Sequence, residues 1–205
     1  MADSSRDRIV EAAYRTLVRN GYHDTSMKDI AEEAQVALGL AHYYFQTKED
    51  LLVEAIRYGC APVIREWHET AKSPRSLEAA VEVSRTGLEL QKQELRRNLE
   101  LFTLVFEMFG VGLHNPRIRA AVNEFVQEDR ERIAAIARPV FAGLQAAPES
   151  EPDAVAAAIW ACLNGITLQK LIDPAFDADR AIDALWEMIT AFVRVNAGAP
   201  ASRGD

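Results

Sequence analysis

The sequence predicts an all-α protein. Apolar residues recur at helical spacing in nearly every segment, and the sustained alternation that marks strands does not occur. The chain has 205 residues, 49% hydrophobic and 26% charged, which is enough to bury a core without disulfides or metal. We therefore expect about nine helices, arranged as an N-terminal three-helix domain with a helix-turn-helix and a larger helical body.

Local start and stop signals define each helix. The first carries an apolar stripe that includes Ile9, Ala13 and Leu17, and it ends at Asn20-Gly21. Ser26 and Thr47 each precede an acidic residue by three positions, which is the spacing of a capping box. The predicted helices cover residues 5–20, 27–34, 38–44, 48–70, 77–92, 94–110, 117–144, 152–172 and 179–195.

Proline-containing segments separate the later helices. We expect breaks at 114–116, 148–152 and 173–174, a cap at Ser73-Pro74, and a kink or split at Pro139. The domain boundaries that follow are a helix-turn-helix domain at 1–47, a connecting helix at 48–72, a body at 73–197 and a flexible tail at 198–205.

Charge and cysteine usage indicate a cellular compartment. The net charge is -8, and Cys60 and Cys162 lie far apart without a CxxC pair, which fits a reducing cytosol. The N-terminus is charged, and the longest apolar run, 154–163, is too short to span a bilayer. We expect a cytoplasmic protein that does not enter membranes.

Residues 27–44 predict a helix-turn-helix. Two short helices flank a tight turn at 35–37, and in such motifs the second helix enters the major groove of DNA. Helices this short need a third to complete their core, and the first helix supplies it. The expected inward-facing residues are Ile9, Ala13, Leu17, Ile30, Ala34, Val36, Ala41 and Phe45.

Three runs in this region carry a family resemblance. They are Gly21-Tyr22 followed by Thr25-Ser26-Met27-Lys28-Asp29-Ile30-Ala31, then Val36-Ala37-Leu38-Gly39-Leu40-Ala41-His42-Tyr43-Tyr44-Phe45, then Gln46-Thr47-Lys48-Glu49-Asp50-Leu51-Leu52. Over about residues 8–55 the chain resembles the tetracycline-repressor (TetR) family of bacterial transcriptional regulators. The resemblance implies a homodimer that binds a palindromic DNA operator and a small-molecule effector, without a cofactor and without enzymatic activity.

The expected DNA contacts come from helix caps, two lysines and the outer face of the third helix. Residues 1–57 hold seven Lys or Arg and ten Asp or Glu, so local contacts must provide the affinity. The expected contact residues are Ser26, Lys28, Ala37, Leu38, Gly39, Leu40, His42, Tyr43, Thr47 and Lys48. We place Phe45 and, for the most part, Tyr44 in the core.

The third helix departs from the usual chemistry of base readout. It has no Arg, Asn or Gln, so it cannot make the bidentate contacts to guanine or adenine. Our hypothesis is that Leu38 and Leu40 contact thymine methyls, with shape readout and Lys28 supplying the rest.

Aromatic and small residues of the body indicate an effector pocket and a dimer face. The expected effector is small and mainly apolar or aromatic, bound by Trp67, Phe102, Phe106, Phe109, Phe125 and Asn164. The expected dimer face, a four-helix bundle between subunits, contains Trp160, Ala161, Gly165, Leu168, Trp186, Ile189 and Phe192. For both sets the alternative is that these residues simply form the protein core.

The function predicted from these features is a ligand-responsive repressor that its effector releases from DNA. The alternative is a helical adaptor that binds protein through its first domain. An enzyme is not expected, because Glu-x-x-His pairs, a P-loop, a nucleophile elbow and zinc-ligand spacing are all missing from the sequence.

Overall fold

The computed structural model describes residues 4–70, 74, 76–144 and 150–197. Within these ranges the chain is all-α, as predicted, and contains nine helices and no strand. The helices are α1 (Ser5–Asn20), α2 (Met27–Glu33), α3 (Leu38–Tyr44), α4 (Lys48–Thr70), α5 (Leu77–Arg97), α6 (Leu99–His114), α7 (Pro116–Ala142), α8 (Pro152–Ile172) and α9 (Ala178–Asn196).

Two predictions about helix boundaries were wrong. α5 continues to Arg97 and the break falls at Asn98, because residues 93–97 are all good helix formers. α7 continues past Pro139, so the predicted split does not occur, whereas the alternative, a kink at Pro139, stays a prediction. The predicted cap at Ser73, residues 148–149 of one predicted break and the tail at 198–205 lie outside the described residues.

The described chain divides into two compact units. Unit 1 contains Met1–Arg65 and Asn98–Phe125, and unit 2 contains Glu66–Arg97 and Val126–Asp205. α6 and the start of α7 therefore pack with the helix-turn-helix, although the predicted domain boundaries assign them to the body. The boundaries at 47 and 72 remain a prediction about function, and they do not follow the compact units.

The core of unit 1 joins the helix-turn-helix to α6. The predicted inward set is buried, except for Val36, which is partly buried against the cluster. Leu101, Leu104 and Met108 of α6 belong to the same cluster as Ile9 and Ile30. A buried Ile or Leu truncated to Ala costs about 2–5 kcal/mol. The stability of the helix-turn-helix therefore depends on a helix that lies far away in the sequence.

The turn between α2 and α3 follows a helix-ending geometry that normally uses glycine. The Val36 N–H donates to the Ala31 carbonyl (3.0 Å) and the Gln35 N–H to the Glu32 carbonyl (3.0 Å), which is a Schellman motif. Gln35 has φ = 54°, a left-handed conformation that favours glycine. The Arg8 guanidinium donates to the Ala34 carbonyl (2.7 Å) and so ties this turn to α1.

Unit 2 packs α9 against α5 and α8. Ile182 and Leu185 of α9 are buried, and Lys92 of α5 donates to Asp183 (2.5 Å) and Glu89 (2.8 Å). Burial lowers the pKa of Lys92, but these hydrogen bonds outweigh burial and leave that pKa raised. By length and hydropathy α8 could cross a membrane, and 17% of its most apolar stretch is buried.

Candidate functional site

The outer face of α3 is open to solvent. Tyr43 is 79% exposed and Leu38 41% exposed, and Gly39 and His42 are also exposed. Ala41 and Phe45 are buried on the opposite face and fix the helix to the core of unit 1. The predicted contact residues on α3 thus form one surface, apart from Leu40, which is half-buried.

The assignment of Tyr44 to the core was wrong. Its side chain is 40% exposed, and its ring meets the Tyr43 ring edge to face at 5.2 Å between centroids. A seven-residue helix turns about 100° per residue, so neighbouring aromatic residues near its end can both escape burial. The exposed surface of α3 is therefore more aromatic than the sequence suggested.

Both predicted capping boxes are present. The Asp29 N–H donates to Ser26 Oγ (3.2 Å) and the Ser26 N–H to Asp29 Oδ2 (2.8 Å). Thr47 and Asp50 exchange the equivalent pair of bonds, each 3.2 Å. Hydrogen bonding to Ser26 lowers the pKa of Asp29, which extends the ionised form of the α2 cap to lower pH.

The two predicted lysine contacts have different surroundings. Lys28 is exposed, with only a 3.7 Å ion pair to Glu32 on its own helix. Lys48 instead donates to the carbonyls of Tyr22 (2.6 Å) and Thr25 (2.8 Å), and its ammonium lies 4.1 Å from the centroid of the Tyr22 ring. Two of the three N–H groups of Lys48 thus hold the α1–α2 loop.

Tyr22 is a buried residue that contacts Glu49 and Lys48, and the sequence analysis did not select it as a site residue. Its hydroxyl donates to Glu49 Oε1 (2.8 Å). Burial, this hydrogen bond and the negative charge of Glu49 raise the pKa of Tyr22, and the same bond lowers the pKa of Glu49. The residue before it, Gly21, has φ = 78°. An aromatic residue after a helix-ending glycine is the sequence signal that could have identified this position.

The structure brings together part of the predicted effector site. In unit 1 the Phe106 and Phe109 rings meet at 5.6 Å between centroids, and Phe109 meets Phe125 at 6.4 Å. Phe102 is half-buried one turn before Phe106 on the same side of α6. Among the described residues, no group of His, Cys, Asp or Glu side chains is arranged to hold a metal ion.

The other two predicted effector residues belong to unit 2. The Trp67 ring lies directly over Gly87, where a Cβ would come within 2.2 Å of it. The Asn164 amide donates to the Trp160 carbonyl one turn earlier (2.9 Å). Asn164 is half-buried, and its amide N–H is already bonded within its own helix. The argument that a buried polar group needs a ligand is therefore weaker for Asn164 than the sequence suggested.

The predicted dimer face separates into exposed and half-buried members. Ala161, Gly165 and Leu168 of α8 are exposed, and nothing lies within 4 Å of a Cβ built on Gly165. Trp160 and Phe192 turn inward: the Trp160 indole N–H donates to Asp129 (3.4 Å), and the Phe192 ring meets Phe141 at 5.7 Å. Trp186 and Ile189 are half-buried.

Three large apolar side chains on this surface were missed. Ile172, Met188 and Val195 are 74%, 60% and 80% exposed. Ile172 was missed because α8 has no polar stripe that would show which of its faces points outward. Met188 and Val195 were missed because the most apolar stripe of α9 faces inward and drew attention away from its other side. The exposed residues of α9 follow one another at helical spacing, which was the available signal.

Comparison with known proteins gives two family matches that together span most of the chain. Residues 9–55 match the model described as bacterial regulatory proteins, tetR family, and residues 80–194 match that of the BetI-type transcriptional repressor, C-terminal. The all-α fold, the exposed helix α3 of the helix-turn-helix and these two matches together define a DNA-binding transcriptional regulator. The chain belongs to the TetR family, as the motifs of its first helices indicated.

Individual relatives agree with this assignment. The HTH-type transcriptional regulator BetI of Agrobacterium fabrum is 48% identical over 52 residues, 25% of each chain, so the chain spans about a quarter of that relative's length. A putative regulator from Pseudomonas aeruginosa PAO1 has a TM-score of 0.75 at 18% identity and covers 92% of this chain and 89% of its own. The multidrug binding protein EbrR complexed with proflavin has a TM-score of 0.63 at 26% identity, with coverages of 90% and 99%.

Proposed function

We propose that this chain is a ligand-responsive dimeric repressor that acts in the cytoplasm and binds a palindromic operator. The observation that carries the proposal is the open surface of α3, in a motif whose α2 and α4 begin with capping boxes. Free N–H groups at helix N-termini are natural partners for DNA phosphates. The similarity to the C-terminal region of BetI-type repressors favours repression over activation.

DNA recognition in this proposal combines few charges with shape. Lys28, Lys48 and the first helical turns that Ser26 and Thr47 cap contact phosphates. Ala37, His42 and Tyr43 contact the backbone or base edges. Leu38 and half-buried Leu40 meet thymine methyls. Because few cations contact phosphates in this proposal, binding releases a small number of counterions.

The salt dependence of binding tests this part. Purified protein selects duplexes from genomic fragments, and the affinity for a selected palindrome is then measured by fluorescence anisotropy at several salt concentrations. Lys28→Ala should lower the slope of log affinity against log salt by about one. Glu32→Ala, which removes the ion-pair partner of Lys28, is the matched control and should leave the slope unchanged.

Dimerisation in this proposal uses the exposed side of α8 and α9. Gly165 lies in the middle of a helix, where glycine costs about 1 kcal/mol relative to alanine, and no contact within the described chain accounts for it. A glycine at such a position permits close approach of another helix. Ala161, Leu168, Trp186 and Ile189 surround or extend this surface, while Trp160 and Phe192 support it from inside. We therefore interpret the apolar character of α8 as an interface property.

The effector in this proposal is small and mainly apolar or aromatic. The rings of Phe106, Phe109 and Phe125 in unit 1, with Phe102 one turn before Phe106, support an aromatic-lined site within that unit. Trp67 and Asn164 belong to unit 2 and stay separate predictions from the sequence. The relative EbrR binds proflavin, which is a planar aromatic dye. The effector must bind the released conformation more tightly than the DNA-bound one, since otherwise it shifts nothing.

A protein-binding adaptor is the second candidate. The exposed apolar side chains of Leu38, Tyr43 and Tyr44 on an acidic first domain are the observation that favours it. Duplex selection separates the two functions: an adaptor shows no preference for any fragment at low salt, whereas a repressor enriches a palindrome.

A further inference from the structure

A carboxylate on α6 contacts the backbone at the entrance to the helix-turn-helix. Glu107 Oε2 accepts the Tyr22 N–H at 2.9 Å, and the two residues are 85 positions apart. Its other oxygen, Oε1, lies 3.4 Å from where a Cβ of Gly21 would stand. The contact requires a side-chain oxygen with this reach, because N–H···O hydrogen bonds need donor–acceptor distances of about 2.7–3.2 Å. The loop between α1 and α2 is therefore held from a helix outside the DNA-binding motif.

This loop leads directly into the proposed DNA surface. Four residues after Tyr22 comes Ser26, the N-cap of α2. Lys48 holds the Tyr22 and Thr25 carbonyls, and the Thr25 hydroxyl donates to the Gly21 carbonyl (2.8 Å). With so many bonds in six residues, a displacement of the Tyr22 backbone displaces the start of α2.

Glu107 shares its helix with the aromatic cluster. At about 100° per residue, the buried face of α6 (Leu101, Leu104, Met108) lies between two flanks. Glu107 is on one flank, roughly 95° from the centre of the buried face, and the other side carries Phe102, Phe106 and Phe109. A rotation or shift of α6 that changes the aromatic flank therefore also moves the carboxylate.

We propose that Glu107 is a positioning residue for DNA binding, which sets the α1–α2 loop and thereby the start of α2 through the Tyr22 N–H. This inference rests on the proposed function. Through this contact α6 connects directly to the DNA-binding motif. Specific binding then requires the length of the Glu107 side chain, which lets its oxygen meet the Tyr22 N–H, and does not require its charge.

Two substitutions separate reach from charge. Glu107→Gln keeps an oxygen acceptor at the same distance and removes the charge, whereas Glu107→Asp keeps the charge and shortens the side chain by one methylene. Affinities for the selected palindrome and for a random duplex are measured by anisotropy. Glu100→Ala, at an exposed position on the same helix, is the matched control, and exchange of the Tyr22 amide hydrogen reports the contact itself.

The positioning role and a charge effect have opposite signatures. We expect Glu107→Asp to bind the palindrome about 10-fold more weakly, with random-duplex binding within about 2-fold, faster Tyr22 exchange and an unchanged melting temperature. Glu107→Gln should bind the palindrome as tightly as the wild type or more tightly. Palindrome affinity that is unchanged in Glu107→Asp, or an equal loss for both duplexes, overturns the inference.

The duplex preference of the wild-type chain separates a failure of this inference from a failure of the proposed function. If the wild-type chain prefers no duplex, the proposed function fails, and the positioning role fails with it. If the wild type selects a palindrome and Glu107→Asp binds it equally well, only the positioning role fails.

Discussion

α3 and α8 both leave apolar side chains uncovered, but their surroundings differ. α3 is seven residues long and exposes Leu38 and Tyr43 beside capped helix ends and the exposed ammonium of Lys28. α8 is three times as long, and on its exposed side Ala161, Gly165 and Leu168 follow one another without an intervening charge.

The difference shows how the same residue types serve different partners. A small apolar surface among hydrogen-bond donors suits a polar, charged partner such as DNA, where phosphates supply the binding energy. A long apolar face with small residues suits another helix, because burying it removes hydrocarbon from water at about 25 cal/mol per Å². Substitutions on the two surfaces should therefore fail in different ways.

The largest effect is expected on α8. Leu168→Glu places a charge on the proposed dimer face and should convert dimer to monomer, as measured by analytical ultracentrifugation. Operator affinity should then fall by at least about 100-fold, because the helix-turn-helix motifs of two subunits no longer bind the operator together. The matched control is Gly110→Glu, which introduces the same charge at an exposed helical position of α6 with open space around it. A monomeric wild type, or a dimeric Leu168→Glu variant, would show that α8 is not the interface.

A smaller effect is expected on α3. Tyr43→Ala should weaken operator binding about 10-fold, equivalent to about 1.4 kcal/mol, by removing one DNA contact. The oligomeric state and melting temperature should not change, because the side chain is 79% exposed. Tyr43→Phe keeps the ring and tests whether the hydroxyl makes the contact. Unaltered affinity in Tyr43→Ala would remove this residue from the interface.

Unit 1 should lose stability in acid. The hydrogen bond from Tyr22 lowers the pKa of Glu49, and those from Arg15 and Arg19 lower the pKa of Glu33. A lowered folded-state pKa stabilises above the unfolded-state value, near pH 4, and that stability is lost as pH falls through the folded-state pKa. Denaturant unfolding from pH 7 to pH 3 should show a smaller acid loss in Glu49→Gln than in the wild type. Equal acid losses would contradict the role of Glu49.

The smallest effect is expected at Gln35. Gln35→Gly relieves a left-handed conformation and should raise the free energy of unfolding by up to about 1 kcal/mol. Glu32→Gly, inside α2 and with ordinary helical geometry, should instead lower it by a similar amount. Thermal unfolding of both variants measures the difference, and a destabilised Gln35→Gly variant would indicate that the Gln35 side chain makes a necessary contact.

The helix-turn-helix was predictable because its information is local. Ser26, Asp29, Thr47 and Asp50 carry capping signals that act over three residues. The contacts of Tyr22 with Glu107 and of Arg8 with the Ala34 carbonyl were not predictable, since they join residues 85 and 26 positions apart. No periodicity relates such pairs, and their formation depends on the packing of the intervening helices.

The amino-acid sequence by itself determined the all-α class, the starts of α1 to α4 and the family, because hydrophobic periodicity and capping act within one or two turns. Only the tertiary structure decided that α6 packs with the helix-turn-helix, that Tyr44 is exposed, and that Trp160 and Phe192 turn inward while Ala161, Gly165 and Leu168 remain open. The physical reason is that a helix has several apolar sides, and which side is buried depends on the neighbours that close packing places against it.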